Sequence, residues 1–372
     1  MDDPGYMQRA MELARLGAGW TSPNPIVGAV IVKDGRIVGE GYHKKAGTAH
    51  AEIIALQDAG SAAKGATLYV NLEPCSHYGR TPPCAKAVIQ AGIARAVVAV
   101  EDPNPKVAGQ GIQELKRAGI QVDVGILEQE AREQNEIFFK YIDAGVPYVT
   151  LKTAITLDGK TATSAGKSKW ISGQLARDEV HRLRHFHDAV LTGIGTVLAD
   201  DPQLNVRLEG NWRHPLRVIV DSRLRLPLTA LVCASAKRQP TLVATTDRHD
   251  PHHRLRLEEL GVEVVVMPSY AGRVDLVSLM RFLGKREITS ILLEAGAHLA
   301  AGALAQGLVD KIIAFIAPKI FGGLTAPGPV GELGISEVEQ ALSISRLKPV
   351  PVGSDLMITG YLNKDVSWRI SG

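Results

Sequence analysis

His50-Ala51-Glu52, Pro74-Cys75 and Cys84 are the residues of this chain whose types and spacing could do chemistry. They offer one imidazole and two thiols to a metal, with a carboxylate two residues from the imidazole. Zn²⁺ held by three protein ligands keeps a fourth position open for water and lowers that water's pKa towards neutrality. A carboxylate that is not a ligand, here Glu52, can then move protons. A structural zinc knot is the competing reading. Such sites usually close with four ligands, and the remaining cysteine, Cys233, is far away in sequence.

These side chains need elements to hold them. Met7, Ala10, Met11 and Ala14 recur at helical spacing, and Gly17 ends that helix. Strands over 26–32 and 37–41 are joined across Lys33-Asp34-Gly35-Arg36, where Asp-Gly between apolar runs signals a hairpin. A helix over 51–59 starts at His50 and Glu52, and a strand over 67–72 delivers Glu73-Pro74-Cys75. Pro82-Pro83 opens a further helix with Cys84 in its first turn, because proline suits a position whose N–H has no partner. Two helix N-termini are thus expected at the metal, favouring thiolate over thiol. A strand over 96–100, a helix over 111–118, a strand over 121–124 and a helix over 128–141 complete a mostly parallel sheet between helices.

Asp143-Ala144-Gly145-Val146-Pro147 reads as a boundary, giving domains 1–145 and 146–372. The second series alternates again. Strands are expected over 148–154, 189–192, 216–220, 241–244, 262–266, 288–293 and 311–316, with one or two more in 342–360. Helices are expected over 174–184 and in the alanine-rich run after Gly296. Both halves therefore read as α/β. His249, His252 and His253 fall in a polar stretch expected to be a solvated loop. His181 and His185 lie four apart on a helix without the intervening acid of a metalloprotease motif, and a metal there is not expected.

With 372 residues, 45% hydrophobic and 22% charged, the chain has length for two sizeable cores. Its net charge of +3, from 42 basic and 39 acidic residues, does not suggest general nucleic-acid affinity. Three cysteines argue against a disulfide framework and fit a reducing cytosol. Met1-Asp2-Asp3-Pro4 lacks the order of a signal peptide, and no apolar stretch approaches the roughly 20 residues of a spanning helix. A cytoplasmic homo-oligomer acting on a small molecule, with neither nucleic-acid nor membrane partner, is expected.

Gly193-Ile194-Gly195-Thr196 and Glu294-Ala295-Gly296-Ala297 follow strands, where glycine lets backbone N–H groups approach a phosphate. Neither is the G-x-G-x-x-G fingerprint, and each is equally read as a simple turn. Lys152, Lys167, Lys169, Arg184 and Arg207 could pair with phosphates or form surface salt bridges.

The whole pattern resembles the bifunctional deaminase–reductases of riboflavin biosynthesis. The carriers are Ser22-Pro23-Asn24-Pro25-Ile26-Val27-Gly28, Ala49-His50-Ala51-Glu52, the run LEPCSHYGRTPPC over 72–84, Asp102-Pro103-Asn104-Pro105, Leu157-Asp158-Gly159-Lys160, Ser168-Lys169-Trp170-Ile171, TVLADDP over 196–202 and Ala317-Pro318-Lys319. Zinc deaminases of bases and nucleosides also share H-x-E…P-C…C, but usually as C-x-x-C. The longer loop between Cys75 and Cys84 favours the riboflavin family over base editing of nucleic acid.

The resemblance implies a cytidine-deaminase-like α/β/α domain followed by a dihydrofolate-reductase-like α/β domain. It implies hydrolysis of the ring amino group of 2,5-diamino-6-(5-phosphoribosylamino)pyrimidin-4(3H)-one, then NADPH reduction of the ribosyl group to ribityl. His50, Cys75 and Cys84 would hold one zinc, and Glu52 would shuttle protons. Asn24, His43, Arg80, Asp102 and Asn104 match substrate positions of the first site. Ser168, Arg184, Leu204, Arg207 and Glu294 match those of the second. Ala154, Trp170, Thr196, Asp200, Ser222 and the loop Gly296, Ala297, His298, Leu299 and Ala300 match NADPH contacts. Lys152 and Asp200 are the ionisable candidates nearest hydride transfer.

Asp221-Ser222-Arg223 gives mixed signals on the dinucleotide. A carboxylate after a strand favours NAD in a Rossmann domain, but the fingerprint is missing. Ser222 is expected at the adenosine-side phosphate, with Arg223 supporting NADPH preference through its planar fork. A nucleic-acid base deaminase with an appended binding module is the alternative. It calls for a basic, aromatic channel, and 5% aromatics argue against it.

Overall fold

The structure, a computed structural model, describes residues 1–76, 83–104 and 108–362. It divides into two compact units, Met1–Gly145 and a second beginning at Val146.

In the first unit α1 (Asp3–Arg15) precedes the hairpin β1 (Gly28–Lys33) and β2 (Arg36–Tyr42). Then come α2 (Ala51–Ala59), β3 (Thr67–Val70), α3 (Cys84–Gln90), β4 (Arg95–Val98), α4 (Gln110–Arg117), β5 (Gln121–Val124), α5 (Glu128–Gln134) and α6 (Glu136–Ala144). The five strands lie in the order β2-β1-β3-β4-β5. The hairpin pairs antiparallel, and β1 also meets β3 antiparallel; only β3–β4 and β4–β5 are parallel. The expected mostly parallel sheet is therefore mixed, because a hairpin rather than a crossover begins it. Its apolar residues fill two layers. One packs Ala51, Ala55, Val88 and Leu115 from α2, α3 and α4; the other packs Met7, Met11, Ala131 and Phe139 from α1, α5 and α6.

The helix expected over 128–141 is interrupted at Asn135. That side chain is buried and bonds both polar groups of the Ile26 backbone, accepting from its N–H at 2.9 Å and donating to its carbonyl at 3.0 Å. A tertiary partner thus overrides the local helical preference. Gly41 sets the seat of α2. A Cβ there would lie 2.4 Å from the Ala51 carbonyl, so only glycine lets the helix start come this close to β2.

The second unit runs β6 (Tyr148–Thr156), α7 (Gln174–Phe186), β7 (Ala189–Gly193), α8 (Ile194–Asp200), β8 (Leu216–Val220), α9 (Leu231–Ala234), β9 (Thr241–Thr245), α10 (Pro251–Glu259) and β10 (Glu263–Val266). A small hairpin, β11 (Ser269–Tyr270) and β12 (Arg273–Val274), leads to α11 (Leu276–Lys285), β13 (Ser290–Leu293), α12 (Ala297–Ala305), β14 (Lys311–Ala317), β15 (Ile344–Val352) and β16 (Asp355–Leu362). Nine strands form one sheet ordered β10-β9-β8-β7-β13-β6-β14-β16-β15, parallel except at β16 and β15. Helices α11 and α12 cover one face with Leu279, Leu283 and Ala300, while α8, α9 and α10 cover the other with Val197, Val232 and Leu257.

His252 and His253 lie in α10 rather than in a solvated loop. Asp250 caps its first turn by accepting from His252 N–H at 2.9 Å, and Pro251 stands where no N–H is needed. His253 Nε2 lies 2.9 Å from the Leu226 carbonyl. No helix among the described residues is long and apolar enough to cross a membrane.

Candidate metal centre and ligand cleft

His50 is the N-cap of α2, Cys84 is the first residue of α3, and Cys75 follows the end of β3. Their donor atoms all lie within 4.8 Å of one another. His50 Nδ1 is 3.2 Å from Cys84 Sγ and 3.6 Å from Cys75 Sγ. Among the described residues this is the one group of His, Cys, Asp and Glu able to hold a metal. One nitrogen and two sulfurs suit Zn²⁺, and three protein ligands leave one position open. The two helix starts meet here as expected: the Cys84 backbone N–H donates to Cys75 Sγ at 3.3 Å. A hydrogen bond from the Cys84 thiol, reinforced by His50, holds the Cys75 thiol well below its usual range, at about 4.

Glu52 stands beside these ligands and is 3% exposed. Burial, then the nearby Cys75 charge, pushes its carboxyl up to about 7. His43 packs edge-on to His50 with ring centroids 5.3 Å apart. Its Nδ1 lies 3.1 Å from the Ala49 carbonyl, which can only accept, so Nδ1 carries the proton. Burial holds the ring neutral by lowering its pKa. Nε2 is then an acceptor, and Asn24 Nδ2 donates to it at 3.2 Å. That bond fixes the Asn24 amide. Asp102 Oδ1 accepts from the Asn104 N–H at 2.8 Å. Arg80, named from the sequence, and His77 lie outside the described residues.

The second unit holds an open cleft of ≈ 1590 Å³. At its heart are three charges from three elements. Glu294, just after β13, takes the planar fork of Arg184 from α7, with Nε–Oε1 at 2.6 Å and Nη2–Oε2 at 3.0 Å. Lys152 Nζ from β6 lies 3.0 Å from Glu294 Oε2. Burial alone would raise the Glu294 carboxyl, but Arg184 and Lys152 hold it well below the usual range. Arg184 Nη1 also donates to the Asn205 carbonyl at 3.0 Å, and Arg207 donates to the Asn205 side chain at 2.6 Å. Ser168 donates to Asp200 Oδ1 at 3.3 Å. Asp200 therefore joins Ser168, and among the described residues it makes no ion pair or hydrogen bond with Lys152.

Ala154, Trp170, Thr196, Leu204 and Ser222 line the same cleft, as do Gly296, Ala297, His298 and Leu299. Ala300 does not. It is fully buried against the sheet, because α12 turns its side chain into the core. Trp170 is exposed and stacks under the Arg177 guanidinium, 4.8 Å from the ring centroid. Neither Gly193-Ile194-Gly195-Thr196 nor Gly296-Ala297 is merely a turn, since each opens a helix at the cleft wall.

Asp221 is turned away from the cleft. It is fully buried, accepts from the Leu226 N–H at 2.9 Å, and burial pushes its pKa up. At the same end Arg223 and Arg273 line the cleft, and their guanidinium groups make no hydrogen bond or ion pair among the described residues. Ser222 Oγ accepts from the Val274 N–H at 3.0 Å, which ties the β11–β12 hairpin to this edge.

Reasoning from sequence missed the supports beneath this cleft. Arg217 is 1% exposed within β8 and donates to the carbonyls of Val232 at 3.0 Å and Gln239 at 2.7 Å. Gln239 Nε2 in turn donates to the Leu204 carbonyl at 3.2 Å, where Leu204 sits at φ +52°. An arginine inside the apolar strand LRVIV was the available signal for the first; nothing marked the second. His181 also lines the cleft, 3.1 Å from the Asn205 carbonyl, and burial and Arg184 hold it down at about 4.

Comparison with known proteins divides the chain in the same order. Residues 1–100 match the cytidine and deoxycytidylate deaminase zinc-binding region, and residues 147–356 match the RibD C-terminal domain. The riboflavin biosynthesis protein RibD of Aquifex aeolicus is 47% identical over 357 residues, covering 96% of this chain and 97% of that protein. RibD of Escherichia coli is 46% identical over 335 residues, covering 87% and 89%. The structure of Acinetobacter baumannii RibD superposes with a TM-score of 0.87 at 43% identity, covering 97% of this chain and 99% of that one. A Thermotoga maritima structure described as a diaminohydroxyphosphoribosylaminopyrimidine deaminase/5-amino-6-(5-phosphoribosylamino)uracil reductase superposes at 0.83 with 37% identity, again covering 97% and 99%.

Proposed function

We propose how the residues of this chain divide two reactions between them, given that the chain belongs to the RibD family, the bifunctional deaminase–reductases of riboflavin biosynthesis. Residues 1–145 hydrolyse the amino group of 2,5-diamino-6-(5-phosphoribosylamino)pyrimidin-4(3H)-one. Residues 146–372 reduce the ribosyl group of the product with NADPH, giving 5-amino-6-(5-phosphoribitylamino)uracil. The observation that carries this reading is the pairing of a His/Cys/Cys donor cluster beside a buried glutamate with a separate cleft built on a buried ion triad.

In the first site His50, Cys75 and Cys84 hold Zn²⁺. Bound there, the metal lowers the pKa of water towards neutrality. Glu52 would take one proton from the attacking water and pass it to the ring nitrogen, then carry the second from the new carbon–oxygen group to the departing amine. The ring carbon gains the oxygen and ammonia leaves. The place of Glu52 supports this, since it is a buried carboxyl beside the ligands that is not itself one of them. Asn24, oriented by His43, and Asp102 and Asn104 position the pyrimidine and its ribose phosphate, with Arg80 of the same motif.

In the second site NADPH supplies the hydride when bound. Glu294 anchors Lys152 and Arg184, which face the ribose, while Arg207, Ser168 and the Leu204 backbone hold its phosphate end. Lys152 and Asp200 are the ionisable candidates for the accompanying proton. Two features support NADPH over NADH. Asp221, the carboxylate that would favour a free 2′-hydroxyl, is buried, and among the described residues the guanidinium of Arg223, next to Ser222, makes no hydrogen bond or ion pair.

The enzyme works in the cytoplasm and self-associates. Its three cysteines are all free, and edge strand β15 leaves Leu347 and Val350 exposed for a second copy. Mass spectrometry of purified protein with the diaminopyrimidinone phosphate tests the function. Without NADPH the deaminated compound should accumulate, and with NADPH it should gain two hydrogens. Reduction that precedes deamination, or no deamination at all, would refute the division of labour.

A further inference from the structure

Glu73, directly before Pro74-Cys75, takes no part in the chemistry above. It is 5% exposed, and its own N–H donates to the Val100 carbonyl at 3.0 Å. Its carboxylate is answered by backbone N–H groups. Oε2 accepts from Asp102 at 3.1 Å and from Gly109 at 2.9 Å, while Oε1 accepts from Ile112 at 3.1 Å. One oxygen therefore joins the start of the Asp102–Asn104 segment to Gly109, the N-cap residue of α4. The other reaches into the first turn of α4, where a carboxylate suits the unpaired N–H groups and the helix dipole. The helix is seated on the same strand end, because a Cβ on Gly111 would lie 2.0 Å from the Pro74 carbonyl.

We propose that Glu73 is the positioning residue that fixes the Asp102–Asn104 segment to the strand end bearing the metal ligand Cys75. The proposal rests on the reading of Asp102 and Asn104 as substrate contacts. Glu73 touches no reacting atom. It sets the distance between the metal and the face that binds the pyrimidine, through three hydrogen bonds that need an acceptor-only group. A helix cap alone would not explain the bond to Asp102, which lies well before α4.

Glu73→Gln in the full chain tests this. The amide keeps one acceptor oxygen and turns an NH₂ group towards N–H donors. Zinc per chain and reduction of supplied deaminated intermediate should be unchanged. The KM for deamination should rise about tenfold, the size of a lost charge-assisted hydrogen bond, with a smaller change in kcat. Amide hydrogen exchange at Asp102 and Gly109 should quicken. Unchanged exchange overturns the clamp whatever the kinetics. Quicker exchange with an unchanged KM overturns its role in substrate positioning, provided that Asn104→Ala does raise KM. If Asn104→Ala leaves KM unchanged, the reading of Asn104 fails while the exchange result still judges the clamp. Should Glu73→Gln lose zinc, Glu73→Asp, which keeps the charge and shortens the reach, is measured the same way. Zinc loss there too would place Glu73 in the metal site and overturn the proposal.

Discussion

Two buried glutamates mark the two halves, and their surroundings drive them in opposite directions. Glu52 has the Cys75 and Cys84 thiols and the His50 imidazole beside it, and among the described residues no Lys or Arg offsets the burial that raises its carboxyl to about 7. Glu294 is nearly as enclosed, its side chain 10% exposed, but lies between Lys152 and Arg184, which keep it ionised far below neutrality. The first can carry a proton back and forth at physiological pH; the second cannot, and serves as a fixed anchor for two cations. The same side chain is thus a shuttle in one unit and a scaffold in the other. The difference comes from partners rather than from burial.

The largest effect expected from this contrast is at Glu52. Glu52→Gln should retain zinc and lose deamination by about 10²–10⁴-fold, the usual worth of a general acid–base, while reduction continues. Metal analysis and separate assays of the two steps check it, and near wild-type deamination would end the shuttle role. Glu294→Gln should do the reverse. Reduction should fall by about a hundredfold, and unfolding of the second unit should cost about 3 kcal/mol less, because two buried cations lose their shared partner. Deamination should be untouched.

The third effect is on stability against pH. His187 is fully enclosed, lying 2.7 Å from the Leu183 carbonyl by Nδ1 and 3.0 Å from Thr150 Oγ1 by Nε2, and burial lowers its pKa to about 4. Below its ordinary value of 6.5 the unfolded chain takes up a proton that the folded chain refuses. Stability should therefore fall as pH drops from about 6.5 to about 4, by up to about 3 kcal/mol from this group. Urea unfolding of His187→Gln should show a flatter slope in that window, and an unchanged slope would remove His187 as its cause. The smallest effect concerns cofactor choice. Arg223→Ala should raise the KM for NADPH about tenfold and leave NADH nearly unchanged. Equal losses, or none, would leave Ser222 without that support.

The first site was legible because its chemistry depends on residue type. One His and two Cys are a characteristic zinc donor set, and Pro83 and the Asp34-Gly35 turn announce the elements that hold them. The second site depends on shape, so residue type says less. Lys152, Arg184 and Glu294 come from three distant elements, and only the resemblance assigns them to one site. The sequence pattern announces none of the helices α8, α9, α10 and α11. Gly193 and Gly195 hid the first, and α10 has little amphipathic pattern to betray it. Yet Asp250-Pro251 and Asp275 were legible cap signals. The break at Asn135 could not be read locally, since its partner Ile26 lies 109 residues away.

The central claim is that two separate sites on one chain act in sequence. Glu52→Gln and Glu294→Gln, each blocked in one step, test it when mixed with the diaminopyrimidinone phosphate and NADPH. Alone, the first should leave the substrate intact and the second should stop at the deaminated compound. Together they should form 5-amino-6-(5-phosphoribitylamino)uracil. Failure of the mixture, with both variants folded and each site's remaining activity shown on its own substrate, would contradict the account.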